Sequence, residues 1–105
     1  MICQYSNTIA ISCGINAALV AGYLWDEQKT KGNIIQGRIW IRCSIRTLRN
    51  VFPFMGEDAI SNALRRLRER GYILCLENNK SKFDRTKSYA FTPNGITLML
   101  NIKSN

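Results

Sequence analysis

Residues 57–76 read EDAISNALRRLRERGYILCL and carry the clearest secondary-structure pattern of the chain. Four of its apolar residues recur at the i, i+3, i+4, i+7 spacing of one helix face: Ile60, Ala63, Leu64 and Leu67. Acidic residues stand in the first turn and arginines in the last, as the helix dipole favours, and Gly71 is suited to end a helix. The pattern predicts an amphipathic helix over residues 57–70 with an exposed arginine-bearing face, followed by a strand over residues 72–77.

A shorter helix is predicted directly before this one. Residues 38–43 include β-branched and aromatic side chains, which favours a short strand. Ser44 is a good N-cap for a helix over residues 45–50. We expect the turn between the two helices to bury both of its phenylalanines, Phe52 and Phe54.

The remaining segments are assigned from capping residues, breakers and periodicity. In chain order they are a helix over residues 7–13 capped by Ser6, a helix over 17–29 capped by Asn16, a loop over 34–37, a basic loop over 78–83, a return strand over 87–92, a turn over 93–95 and a closing helix over 96–102.

Composition excludes several function classes. The chain has 105 residues with 15 basic and 7 acidic side chains, a formal net charge of +8, and no histidine. The absence of histidine removes most zinc sites and histidine-based catalytic triads. No glycine-rich phosphate loop and no paired carboxylates suited to acid–base work are present. We therefore expect no enzymatic activity, no metal and no cofactor.

The cysteines and the N-terminus bear on the compartment. The four cysteines stand far apart in the sequence and have mostly apolar neighbours, as is usual for small buried side chains. The N-terminus lacks a basic region followed by an apolar run, and no apolar run is long enough to span a membrane. We therefore expect reduced thiols, a cytoplasmic location and no membrane partner.

The order of elements predicts the architecture. Two short helices joined by a tight turn, the second of them amphipathic and followed at once by a β-hairpin, make a winged helix-turn-helix. The fold class is α+β and mostly helical, with a small β-hairpin wing, in a single domain over residues 1–105. The terminal helices, residues 6–30 and 95–102, carry more apolar surface than one small core needs, and we expect a homodimer through them.

The positive charge lies where such a fold would meet double-stranded DNA. Ser61, Asn62 and Arg65 occupy the first exposed turns of the second helix, where base edges are reached. Eight further basic residues on the helix pair and the wing are candidates for contacts with the DNA backbone: Arg46, Arg49, Arg66, Arg68, Lys80, Lys82, Arg85 and Lys87.

Several segments together resemble a known family. They are Asn33 to Trp40 followed by Ser44, the Phe52-Pro53-Phe54 turn, residues 60–73 (ISNALRRLRERGYI) and the DRTKSY run of residues 84–89. This combination looks like the winged-helix N-terminal domain of phage and plasmid replication initiators of the DnaD-like, replisome-organiser kind. The resemblance implies a DNA-binding protein of a phage or mobile element, acting as a small transcriptional regulator or as the DNA-binding domain of a replication initiator.

Two acidic residues leave an alternative open. Glu57 and Asp58 stand at the N-terminus of the helix predicted to read DNA, where their carboxylates would repel phosphate. They fit helix-dipole stabilisation, readout of a cytosine amino group, or contact with a protein instead of DNA. The alternative function is therefore a phage-encoded protein-binding module that inhibits a host nucleic-acid-binding protein. A third hypothesis is binding of RNA or single-stranded DNA.

Overall fold

The computed structural model describes residues 5–76 and 86–101. Within these ranges the elements are α1 (Asn7–Cys13), α2 (Ile15–Lys31), β1 (Asn33–Ile35), β2 (Arg38–Cys43), α3 (Ile45–Val51), α4 (Glu57–Glu69), β3 (Ile73–Leu76), β4 (Lys87–Phe91) and α5 (Pro93–Leu100). The strands form an antiparallel sheet in the order β1-β2-β4-β3. The predicted class, a mostly helical α+β fold with a small hairpin, is confirmed.

Strand β4 joins the β3–β4 hairpin to the rest of the molecule. Tyr89 at its centre pairs with Ile41 of β2 on one side and with Cys75 of β3 on the other. Because β2 leads directly into α3 and β3 follows directly after α4, this pairing holds the hairpin beside the helix pair. The connectivity is that of a winged helix-turn-helix.

Helix α2 lies at the centre of the core. It packs against α1, α4 and β2. Its buried residues extend around much of the helix instead of forming one stripe: Ala17, Ala18, Val20, Ala21, Gly22 and Leu24. The core of the single chain therefore uses most of the apolar surface of α2. The homodimer stays a prediction, and the apolar side chains that the terminal helices leave most exposed are Ile11 and Leu100.

Helix α4 buries the four residues that the periodicity predicts: Ile60, Ala63, Leu64 and Leu67. It ends at Glu69, with Gly71 in the left-handed conformation at φ 75°. The N–H of Gly71 donates to the Arg68 carbonyl over 2.9 Å, and the N–H of Tyr72 donates to the Leu67 carbonyl over 3.0 Å. These two bonds form a Schellman motif, which confirms the predicted role of Gly71.

The region between residues 14 and 37 differs from the prediction. Helix α2 begins at Ile15 after Gly14, whose φ of 96° makes the corner with α1, so Asn16 lies inside the helix and is not its cap. The predicted loop over residues 34–37 is instead the end of β1 and a two-residue hairpin turn. Gln36 and Gly37 have φ of 51° and 76°, the positive values that a type I′ turn requires.

The predicted turn over residues 93–95 is the first turn of α5. Thr92 caps this helix, because its hydroxyl accepts a hydrogen bond from the Gly95 N–H over 3.1 Å, and Pro93 occupies the first position, where its missing N–H costs nothing. The hydroxyl of Thr92 also donates to the Gly71 carbonyl. Gly95 packs against the Tyr72 carbonyl, at a place where a Cβ would not fit.

The turn between α3 and α4 buries only one of its two phenylalanines. Phe52 is 3% exposed and Phe54 is 70% exposed, so the core position predicted for Phe54 is wrong. Met55, 3% exposed, fills the core instead. The Phe54 ring keeps an edge-to-face contact with Phe52, with ring centroids 6.1 Å apart.

Replacing Ser44 with alanine tests the start of α3. The Ser44 hydroxyl accepts a hydrogen bond from the Thr47 N–H over 3.1 Å, as predicted for an N-cap. Loss of this bond leaves an end N–H without its partner, so Ser44→Ala should lower the free energy of unfolding by about 1 kcal/mol in urea denaturation. Asn50→Ala, at an exposed position near the end of α3, should change it by less than about 0.5 kcal/mol. Equal effects of the two variants would contradict the capping role.

Candidate nucleic-acid interface

The outward side of α4 carries the three residues predicted to reach base edges. Ser61, Asn62 and Arg65 are all exposed. Helical spacing places Asp58, Asn62, Arg65 and Glu69 along the middle of this side, with Ser61 and Arg68 along the edge. Nε of Arg65 lies 3.7 Å from a carboxylate oxygen of Glu69, and the two side chains are 54% and 68% exposed. An exposed pair of this kind is weak, so a polyanion could compete for Arg65.

Helix α3 adds two exposed arginines beside α4. Leu48 faces the core, and Arg46 and Arg49 lie on the surface, as predicted. None of the ion pairs described among residues 5–76 and 86–101 involves Arg46, Arg49 or Arg68. Helix α3 packs against α4, so the helix pair forms one surface with an arginine excess.

Arg66 has a role within the fold that the sequence did not reveal. Its Nη1 donates to the Cys13 carbonyl over 3.3 Å, and the Cys13 thiol lies 3.8 Å from the Arg66 carbonyl. These contacts join α4 to the corner between α1 and α2. Arg66 therefore stabilises the position of α4, and its contact with a DNA phosphate stays a prediction that relies on its remaining donors.

Much of the predicted wing contribution lies outside the described residues. Lys80, Lys82 and Arg85 fall between residues 77 and 85, together with the acidic Glu77 and Asp84. Lys87 begins β4 and is half-buried beside the helix pair. Of the four wing cations, only Lys87 lies among the residues that the structure describes.

The start of α4 combines acidic and aromatic side chains. Gly56 is the N-cap and offers no side-chain hydrogen bond, and Glu57 and Asp58 occupy the first turn. Both acids are exposed, and the exposed ring of Phe54 precedes them by a few residues. Their negative charge stabilises the helix end by about 0.3–1 kcal/mol each. The same charges leave the start of α4 less attractive to phosphate than its later turns.

Three cysteines and Tyr89 pack in or against the core. Cys13 and Cys43 are buried free thiols, and Cys75 is half-buried. Burial raises the pKa of Cys43 to about 11, with Glu27 adding to the effect, so the thiol is protonated at neutral pH. Burial also raises the pKa of Tyr89. The Cys43 thiol and the Tyr89 hydroxyl are therefore neutral groups of the core.

Two further arginines were not assigned to any site from the sequence. Arg38 and Arg42 are exposed on β2, with Trp40 between them half-buried on the same face. Their alternation with Ile39 and Ile41 on the other face of the strand, of which Ile41 is buried and Ile39 is exposed, was the available signal. They extend the positive surface from the helix pair onto the outer face of the sheet.

Among residues 5–76 and 86–101, no three side chains suited to metal binding lie together, and no helix there is long and apolar enough to cross a membrane. Comparisons of the chain with protein-family models, with curated proteins and with solved structures found no match.

Proposed function

We propose that the chain binds double-stranded DNA through α3, α4 and the β3–β4 hairpin. Its role would be that of a small transcriptional regulator of a phage or mobile element, or of the DNA-binding domain of a replication initiator. The observation that carries the proposal is the surface of the helix pair. Arg46 and Arg49 of α3 and Arg65 and Arg68 of α4 are exposed there, beside a hairpin that β4 anchors to the sheet.

The dimensions of α4 suit the major groove. The groove of B-DNA is about 12 Å wide and admits one α-helix. Helix α4 has 13 residues and keeps its apolar side against α2, so its outward side is free to enter a groove. Asn62 and Arg65 on that side match the edges of adenine and guanine, respectively. The arginines of α3 would then contact phosphates and fix the orientation of α4.

Paired variants of equal charge test whether this surface binds DNA. Arg46→Gln/Arg49→Gln removes two positive charges from α3, and Lys29→Gln/Lys31→Gln removes two from the end of α2. The two lysines lie in surface ion pairs with Asp26 and Glu27. For each phosphate contact, log K falls by about 0.9 when the salt concentration rises tenfold. A change of about 0.9 in log K is a factor of roughly 8, so each lost contact should weaken binding by roughly 8-fold at about 0.1 M salt.

The α3 double variant should therefore bind a duplex roughly 60-fold more weakly in fluorescence anisotropy. The α2 double variant should bind within about twofold of the unmodified chain, because both lysines pair with carboxylates of α2 and belong to neither helix of the proposed interface. Equal losses in the two variants would mean that net charge alone attracts DNA and that α3 makes no specific contact.

A second candidate function is docking to a host protein, and the exposure of Phe54 favours it. An aromatic side chain that is 70% exposed, next to Glu57 and Asp58, offers an apolar contact with a negative rim. Exposed aromatic side chains of this kind are frequent anchors of protein interfaces. The complementary partner would be a basic, nucleic-acid-binding protein. A folded chain that fails to bind duplex DNA at low salt would support this function over the first.

A further inference from the structure

A small cleft lies between the helix pair and the hairpin, and it brings Ser61 of the base-contact set together with Arg68 and Lys87 of the backbone-contact set. It has a volume of about 100 Å³, several times the roughly 10–15 Å³ that one water molecule needs. Residues of four elements line it: Ile45 of α3, Ser61, Leu64 and Arg68 of α4, Cys75 of β3, and Lys87 and Tyr89 of β4. We call it the α4–β4 cleft.

The polar groups of the α4–β4 cleft suit an anion. Arg68 of α4 and Lys87 of β4 both line the cleft, so two positively charged side chains border one small space. Ser61 adds a hydroxyl that can donate a hydrogen bond. No acidic residue is among the described residues that line the cleft. A tetrahedral oxyanion would meet donors from both the helix and the hairpin.

The apolar part of the lining strengthens these charges. Ile45 and the ring of Tyr89 form part of the wall, and Tyr89 is only 5% exposed. Burial raises the pKa of Tyr89, and the Arg68 charge acts in the opposite direction, which is consistent with the guanidinium lying near the phenol. The hydroxyl is therefore protonated at neutral pH. Charge interactions are stronger beside such low-dielectric surfaces than in open water.

We propose that the α4–β4 cleft binds one phosphate group between Arg68 and Lys87. A planar guanidinium and an ammonium group are the two side chains best suited to phosphate, the first through paired hydrogen bonds and the second as a point charge. If the phosphate belongs to a duplex, this inference rests on the DNA binding proposed above. A backbone phosphate bound in the α4–β4 cleft would contact both the hairpin and α4 while α4 lies in the major groove. A free small phosphate would be bound by the same groups.

The first experiment uses inorganic phosphate as the probe. The melting temperature of the full chain is measured in phosphate and in chloride at equal ionic strength. Phosphate at roughly five times its Kd should raise the melting temperature by about 4–8 °C. Arg68→Gln should abolish the rise. Arg70→Gln, which removes the same charge from an exposed residue at the end of α4 outside the cleft, should retain it.

The second experiment measures the affinity of the same two variants for a DNA duplex. If the cleft holds a backbone phosphate, Arg68→Gln should bind roughly 8-fold more weakly at about 0.1 M salt and reduce the salt slope by about 0.9, while Arg70→Gln should stay within about twofold. An effect specific to Arg68 with inorganic phosphate alone would assign the cleft to a small phosphate. If the two variants behave alike in both experiments, the proposal is overturned. If the unmodified chain does not bind duplex DNA, the proposed function is contradicted. The experiment with inorganic phosphate then decides by itself whether the cleft binds phosphate.

Discussion

The Leu67→Ala variant should unfold with a free energy about 2–5 kcal/mol lower than that of the unmodified chain, the usual cost of a buried leucine-to-alanine cavity. Leu67 is fully buried on the inner side of α4, and α4 packs mainly against α2. A small domain has only about 5–15 kcal/mol of stability in total. The loss should therefore move the urea midpoint well below that of the parent.

Leu100→Ala is the matched control for this variant. Leu100 is 69% exposed at the end of α5, so its truncation removes little buried area. We expect a change within about 0.5 kcal/mol. A loss below about 1 kcal/mol for Leu67→Ala would contradict the packing of α4 described here. The arginines of α4 would then have no fixed outward side, and the proposed interface would lose its basis.

The parts of the fold that follow from local rules were predicted from the sequence. The inner side of α4, its glycine end and the capping of α3 by Ser44 each depend on residues within a few positions of one another. The exposure of Arg46, Arg49 and Arg65 follows from the same periodicity, because a helix that buries one stripe exposes the other.

The parts that were missed depend on contacts between distant residues. Thr92 begins α5 with a hydroxyl that also bonds the Gly71 carbonyl, 21 positions away. The sequence Pro93-Asn94-Gly95 alone is typical of a turn. The bond of Arg66 to the Cys13 carbonyl spans 53 positions, so this arginine could not be distinguished from its neighbours. At the β1–β2 turn, Gln36 adopts a positive φ that usually indicates Asn, Asp or Gly.

In the α3–α4 turn, too, the sequence alone did not predict which side chains are buried, and this turn bears on the proposed function. Phe52 and Phe54 flank Pro53, and their composition alone suggested that both are buried. Of the large apolar side chains in the turn, Phe52 and Met55 are buried in the core and Phe54 lies outside it. The exposure of Phe54 is therefore a result of packing. Composition could not reveal it, although it separates the two candidate functions.

A salt titration of duplex binding measures how many DNA phosphates the chain contacts. Fluorescence anisotropy of a labelled random duplex is measured with the unmodified chain from about 50 to 200 mM salt. With on the order of five phosphate contacts, log K should fall with log salt at a slope of about −4.5, a loss of roughly 500-fold over this range. Single-stranded DNA of equal length should bind more weakly and with a smaller slope.

That result would support duplex binding through an arginine-rich surface. A folded chain with a net charge of +8 that shows no duplex binding at about 50 mM salt would contradict the account. The exposed Phe54 and its acidic neighbours would then become the interface to pursue. Stronger binding to the single strand than to the duplex would contradict it as well, because α4 would then have no groove to enter.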